Sequence, residues 1–333
     1  MASGILLNLI CQTCKTMLMK KTLISVIIIL GSAALNAQGN VNLRMNLEKN
    51  RVYHYRSASE QTVTQTINGV QQTTESKVTY SMSLKMVDAT PEFMVTEVRF
   101  DTLLTETNTM GKLITISSVK EGDIKSSESA DVLSCIMNRL SKTALFVKID
   151  YSGKPVEIIN AGILPRMILK DTATITLQGA TALAVKKQAA ETVSDGNLKT
   201  MIAQFTHYLP GGEVSKGDQW TATQQLTSGG MMLDIVTTYR FDSLEGERAG
   251  ITAESAIKAS DNAAPIESGG VTVTYNDLKG MSRATMTVDA NTGLRVDESG
   301  KTHIAGNLGI SGPGFSMQMP MEINGETKII AIQ

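Results

Sequence analysis

The chain has 333 residues, enough for one large or two ordinary domains, and is 42% hydrophobic but only 4% aromatic, with a net charge of −1. Setting aside Lys15, Lys20 and Lys21 of the N-terminal segment leaves 28 basic residues against 32 acidic ones. No basic excess remains for nucleic acid or an anionic membrane, so neither is expected as a partner.

The chain opens with a leader pattern. Met19-Lys20-Lys21 is a short basic region, Thr22 to Leu35 is apolar, and Leu35-Asn36-Ala37 suits cleavage. Residues 17–37 therefore read as a signal peptide and residues 1–16 as an extension that is not translated or is removed, with the start at Met17 or Met19. The apolar run falls short of the ~20 residues of a spanning helix, so no transmembrane segment is expected after cleavage. The mature protein is expected in the periplasm, at the outer membrane or outside the cell. Cys11 and Cys14 precede the leader, which leaves Cys135 alone as a small core residue.

Residues 38–160 read as a first β unit. It starts at Leu47-Glu48-Lys49-Asn50-Arg51-Val52-Tyr53, an apolar residue, a lysine, a turn residue and an aromatic entering a strand. Asn68-Gly69 is a hairpin signal, because both central positions of its turn need positive φ. On the return, Val78, Tyr80, Met82, Leu84 and Met86 alternate with polar residues, as expected of a strand with one buried face. Phe93 to Thr105 and Leu113 to Val119 follow as strands. Val132, Leu133, Ile136, Met137 and Leu140 recur at helical spacing and predict a helix over 129–140, capped by the preceding serines. Phe146 to Ile149, the turn Asp150-Tyr151-Ser152-Gly153 and Lys154 to Ile158 form a hairpin, and Pro155 puts its return strand at an edge.

Residues 161–207 read as a linker with a strand over 172–177, a weak alanine-rich helix over 180–193 and a better one over 197–208. Residues 208–333 form a second β unit that starts at Tyr208-Leu209-Pro210-Gly211-Gly212-Glu213-Val214-Ser215-Lys216-Gly217-Asp218-Gln219-Trp220, with the chain's only tryptophan. A hairpin over Ser228-Gly229-Gly230 follows, then strands around Ile251 and Val271. Met286 to Val296 repeats the plan of Val147 to Val156 with one added turn residue. Two landmarks in the same order predict an internal duplication, with Tyr53 and Trp220 as matched structural anchors. Arg99-Phe100-Asp101-Thr102-Leu103 also resembles Arg240-Phe241-Asp242-Ser243-Leu244, but it aligns a third strand with a second and is set aside.

Little in the chain carries chemistry. The histidines are His54, His207 and His303, and no serine lies in a GxSxG motif, so no catalytic residue is nominated. The histidines are far apart and no HExxH motif or mature cysteine pair exists, so no metal site or cofactor is expected. Phe315, Met317, Met319, Met321 and Ile323 share one face of a strand and are either contacts for an apolar ligand or plain core, with Pro320 pointing to an edge strand.

The leader, the Lys49 to Tyr55 strand, the Val147 to Val156 hairpin and the Pro210 to Trp220 stretch together resemble an uncharacterised family of exported proteins from Bacteroidota-type bacteria. The likeness covers most of the mature chain and supplies no functional residue. Its usual turn has a second proline where this chain has Gly211-Gly212-Glu213. The expected fold is mainly β with a few helices (α+β), two related, curved antiparallel meanders, each partly covered by a helix. By fold it is similar to the half-barrels of periplasmic lipoprotein carriers. The implied role is non-enzymatic, an envelope protein that binds a lipid or other apolar small molecule between sheet and helices. The alternatives are a structural or protein-interaction module with a filled core, partnered by another envelope protein, and a hydrolase.

Overall fold

Alternating Ser/Thr/Gln and apolar residues produce strands of unusual length. In this computed structural model, residues 40–332 are described apart from Asn68, Gly229, Gly269 and Asn276. The signal segment, the extension before it, Cys11 and Cys14 lie outside the described residues, as do parts of the turns expected at Asn68-Gly69 and Gly229-Gly230.

The strands are β1 (Val41–Leu43), β2 (Val52–Ile67), β3 (Val70–Ala89), β4 (Phe93–Thr109), β5 (Lys112–Ser117), β6 (Leu145–Asp150), β7 (Pro155–Ile158), β8 (Gly212–Val214), β9 (Gln219–Ser228), β10 (Met231–Glu245), β11 (Arg248–Ala259), β12 (Ile266–Ser268), β13 (Val271–Thr274), β14 (Lys279–Asp289), β15 (Arg295–Gly312) and β16 (Phe315–Ile332). Fourteen of them form one antiparallel sheet in the order β7-β6-β4-β3-β2-β16-β15-β14-β11-β10-β9, with β5 beside β4 and the β12–β13 hairpin beside β15. β1 and β8 pair as a separate ribbon. The two expected meanders thus share one continuous sheet, and β16 returns between β15 and β2 to join them.

Four α-helices occur among the described residues: α1 (Ser129–Ser141) between β5 and β6, and α2 (Leu164–Ile168), α3 (Gly179–Thr192) and α4 (Asp195–Thr206) between β7 and β8. Helix α1 packs on β4 and β5, and α4 packs on both edge strands of the sheet, β7 and β9. One helix touching both edges requires the sheet to curl, since a flat sheet of eleven neighbouring strands at ~4.8 Å spacing would hold its edges far apart. All described helices fall within residues 129–206, so the second strand series supplies none of its own cover.

Local expectations met different fates. Helix α4 starts on Ser194, whose hydroxyl accepts from Asn197 N. The serines before α1 do not cap it, and Ser134 within it instead accepts from Ser117 N of β5. Thr172–Thr174 is a 3₁₀ turn where a strand was expected, its hydroxyls bonding back to Leu169 O and Asp171 O instead of leaving the backbone free for a ladder. Pro155 opens the edge strand β7, as expected. Pro320 does not mark an edge, because β16 is central. The β2 ladder begins one residue later, at Met321, so the missing N–H falls just beyond it.

The two landmarks have matching local geometry. Asn50 (φ 67) and Gly217 (φ 92) both take left-handed backbone. The first donates to Met86 O and the second to Phe241 O, each at 2.8 Å. Both acceptors sit beside a bulge, between Met86 and Asp88 on β3 and between Phe241 and Ser243 on β10. Asp150 and Asp289 each turn the chain by accepting from backbone amides two or more residues on, and each turn ends on a positive-φ glycine, Gly153 or Gly293. Both following ladders carry a bulge at the same step.

Candidate functional site: the inner face of the sheet

The face of the sheet turned toward the helices divides into two apolar clusters. The upper one joins Tyr55, Met82 and Phe100 of the sheet to Phe205 of α4 and Leu43 of the β1 ribbon. The lower one contains Leu233, Ile257, Leu308, Met319, Met321 and Ile323, with Tyr275 and Leu278 from the segment that carries β12 and β13. Between them run hydroxyl side chains paired across strands: Thr237 with Ser255 (2.9 Å), Thr302 with Ser282 (3.0 Å) and Ser59 with Thr327 (3.0 Å). These pairs satisfy one another, so the belt separates the clusters without leaving buried donors unpaired.

The methionine stripe belongs to the lower cluster only in part. Met319 and Met321 are 5% and 6% exposed, and Ile323 is buried beside them. Met317 is half-buried, while Phe315 is exposed at the β15–β16 tip. The stripe is packed against Leu308 and its neighbours, and two concavities of about 410 Å³ have mostly polar linings instead. One is lined by Glu60, Glu75, Lys77 and Glu106, the other by Thr274, Asp277, Asn307 and Gln318.

The upper cluster holds a polar group that sequence patterning missed. Arg295 is buried, with its guanidinium 4.3 Å from the centre of the Tyr208 ring. It donates to Gln204 O at the end of α4 (3.1 Å) and lies 2.9 Å from Glu298, at an angle that makes the contact an ion pair more than a hydrogen bond. The Tyr208 hydroxyl donates to Gly293 O (2.8 Å), and burial pushes this phenol well above its ordinary value. Tyr239 is pushed up to about 12, chiefly by burial, with Arg295 opposing. Tyr55, 6.2 Å from the Phe205 ring, has its hydroxyl buried without a protein partner. The only advance signal was an arginine just after a turn, which reads as surface until the fold closes over it.

Tyr53 and Trp220 are half-buried rims of the upper cluster. The Trp220 indole donates to Tyr208 O (3.0 Å) and stacks on Tyr239. The Tyr53 hydroxyl accepts from Glu48 N (3.1 Å).

A serine, a carboxylate and a histidine do meet on the outer face. Ser83 Oγ donates to Asp101 (3.1 Å), and His54 Nδ1 lies 3.7 Å from the other oxygen of that carboxylate. His54 and Ser83 are partners across β2 and β3, but the hydrogen bond of the serine goes to Asp101 and not to the imidazole, so the serine proton is not held by a base of the kind a nucleophilic triad requires. His207, at the end of α4, is held below its usual pKa mainly by burial. His303 pairs with Asn324 on the surface. Among the described residues no group of three or more His, Cys, Asp or Glu is placed to hold a metal ion, and no helix is long and apolar enough to cross a membrane.

These features define a class, a mainly β protein built on one curled antiparallel sheet with helices over part of one face. The chain belongs to a family of unknown function, DUF6263, whose model matches residues 92–295. No curated protein matches it. Among solved structures it is similar to lipovitellin, described for its lipid–protein interactions, at 9% identity and a TM-score of 0.40, covering 86% of this chain and 26% of that one. The chain therefore spans about a quarter of the lipovitellin chain. It is also similar to an outer-membrane channel from Pseudomonas putida F1 (8% identity, TM-score 0.21, 86% and 97% covered). A third likeness is to a DUF1329 family protein from Desulfovibrio piger (10% identity, TM-score 0.12, 81% and 83% covered).

Proposed function

We propose that this is a non-enzymatic, exported protein of the cell envelope that takes an apolar chain, such as a lipid tail, onto the lower inner face of its sheet. The observation that carries the reading is the separate lower cluster. It is cut off from the main core by the hydroxyl belt and covered by none of the described helices, but by the segment holding two strands of three and four residues. That cover is anchored by short ladders and by the Tyr275 hydroxyl, which accepts from Met232 N and donates to Ala264 O. Short ladders open more readily than long ones, and the unbranched Met319 and Met321 beneath can repack around a guest. The leader pattern supports export. The test is solvent extraction and mass spectrometry of protein purified without detergent, with apolar dye titration. Protein that carries no lipid and binds no dye refutes the reading.

The burial of Met319 and Met321 favours a second reading, a structural or interaction module whose inner face is permanently filled. In that case Met319→Ala lowers stability by about 2 kcal/mol or more, and no ligand restores it. The paired bulges, left-handed residues and aspartate turns support descent from two related units, residues 38–160 and 208–333. Separate expression of the two halves, with or without association into the native fold, tests their independence.

A further inference from the structure

We propose that the lower end of the sheet docks on the interface of an uncharged lipid bilayer through its hairpin tips. One row of paired residues crosses the sheet: Thr73, Thr64, Glu322, Ala305, Lys279, Lys258, Asp234 and Gln225. Beyond it, on the side away from the β1–β8 ribbon, project three hairpin ends, residues 65–72, 306–321 and 226–233. None of them contains a charged residue, although 19% of the whole chain is charged; the first two are adjacent in the sheet, and β14 and β11 separate them from the third.

The β4–β5 hairpin turns level with this row, where Thr74 faces Thr109. The tips carry large apolar side chains in water: Val70 is 63% exposed, Met110 77%, Leu113 62% and Phe315 47%. Phe315 lies over Gly312, its register partner, which leaves the ring standing at the tip.

The chemistry selects the occupant. A rigid protein partner is usually met by a contiguous patch rich in Tyr, Trp and Arg. The three uncharged ends contain none of these, and the exposed residues are spread over three tips, Val70 on one, Met110 and Leu113 on another and Phe315 on a third. Separate apolar points at unequal height suit a deformable surface. Hairpin ends can enter the headgroup region at low cost because the ladders satisfy most of their amides. Nearby Asp261, Glu267 and Asp277, from the β12–β13 segment, disfavour anionic lipid. The inference stands independently of any ligand on the inner face.

The experiment is flotation of the protein, expressed from the full sequence, with vesicles of pure phosphatidylcholine and with vesicles containing phosphatidylglycerol. Thermal unfolding of every variant confirms that it folds. The folded protein is expected to float with the neutral vesicles. Phe315→Asp combined with Leu113→Asp should weaken this by roughly tenfold or more, while Val52→Asp, at an exposed position on the opposite end, leaves it unchanged. Failure to float with neutral vesicles, flotation on anionic vesicles only, or loss of a concentration-dependent dimer in Phe315→Asp each overturns the proposal. The last result assigns the tips to a second copy of this chain. Protein that floats but carries no apolar ligand supports this docking and refutes only the inner-face reading.

Discussion

The guanidinium of Arg295 lies 4.3 Å from the centre of the Tyr208 ring and ties the start of β15 to the end of α4 through Gln204 O. Both side chains are buried, so the contact fastens the helix that spans the gap between the sheet edges. Arg295→Met removes the partner of Glu298 and should lower stability by about 3 kcal/mol in urea unfolding. The double variant Arg295→Met with Glu298→Leu should recover most of that loss, because no unpaired charge then remains. A single variant within about 1 kcal/mol of the parent contradicts the fastening.

Gly153 and Gly293 stand at matching turns, with φ of 87° and 69°. A Cβ at Gly153 would fall on the carbonyl of Thr206, and one at Gly293 on that of Arg44. Each glycine to alanine change is expected to cost about 3 kcal/mol or more, from backbone strain and overlap together. Gly111→Ala is the control, since Gly111 has φ of 80° but open space around it. It should cost only about 1 kcal/mol. Equal losses at all three sites would show that the turns do not pack as described.

Trp220 sits on the edge strand and is half-buried, so its truncation forfeits less than a full core aromatic. The stack on Tyr239 and the bond to Tyr208 O remain the main losses. Trp220→Ala should cost about 2 kcal/mol in thermal or urea unfolding. No change in unfolding contradicts its anchoring role.

Stability should fall at both extremes of pH. Burial raises Tyr239 from 10.0 to about 12 and also raises Tyr208. The folded state therefore favours the protonated phenols: their contribution is complete below about pH 10 and is lost as pH rises through about 12. His207 is lowered from 6.5, so its contribution is present above that value and is lost as pH falls below it. Urea midpoints measured from about pH 5 to about pH 11 test both limbs, and His207→Gln should flatten the acid limb alone.

Sequence pattern was strongest where one face is wet and the other dry. Met82 and Leu84 alternate with serines, and β3 is the result. The helix over 129–140 was legible from its apolar spacing. The stretch over 172–177 was not, because threonine suits a strand and a hydroxyl-bonded turn equally well, and long-range contacts decide between them. Pro320 misled for a related reason. A proline excludes a ladder bond at one position, and only the register shows that the β2 ladder stops short of it. In the candidate site, the methionine stripe was visible from period-two spacing, whereas the Arg295 cluster was invisible. Its members, Tyr55, Tyr208, Tyr239, Arg295 and Glu298, are scattered along the chain and meet only when the sheet curls.

By itself the sequence determined the local chemistry of this protein. It set which segments alternate, where glycine and aspartate turn the chain, and that no histidine lies in a recognisable catalytic motif, because these depend on neighbours a few residues apart. The tertiary structure alone decided that two meanders become one sheet through β16, that α4 closes on both edges, and that three uncharged hairpins end on one side. Those outcomes depend on pairing between distant strands. The loop-closure entropy and packing that select it appear in no local pattern.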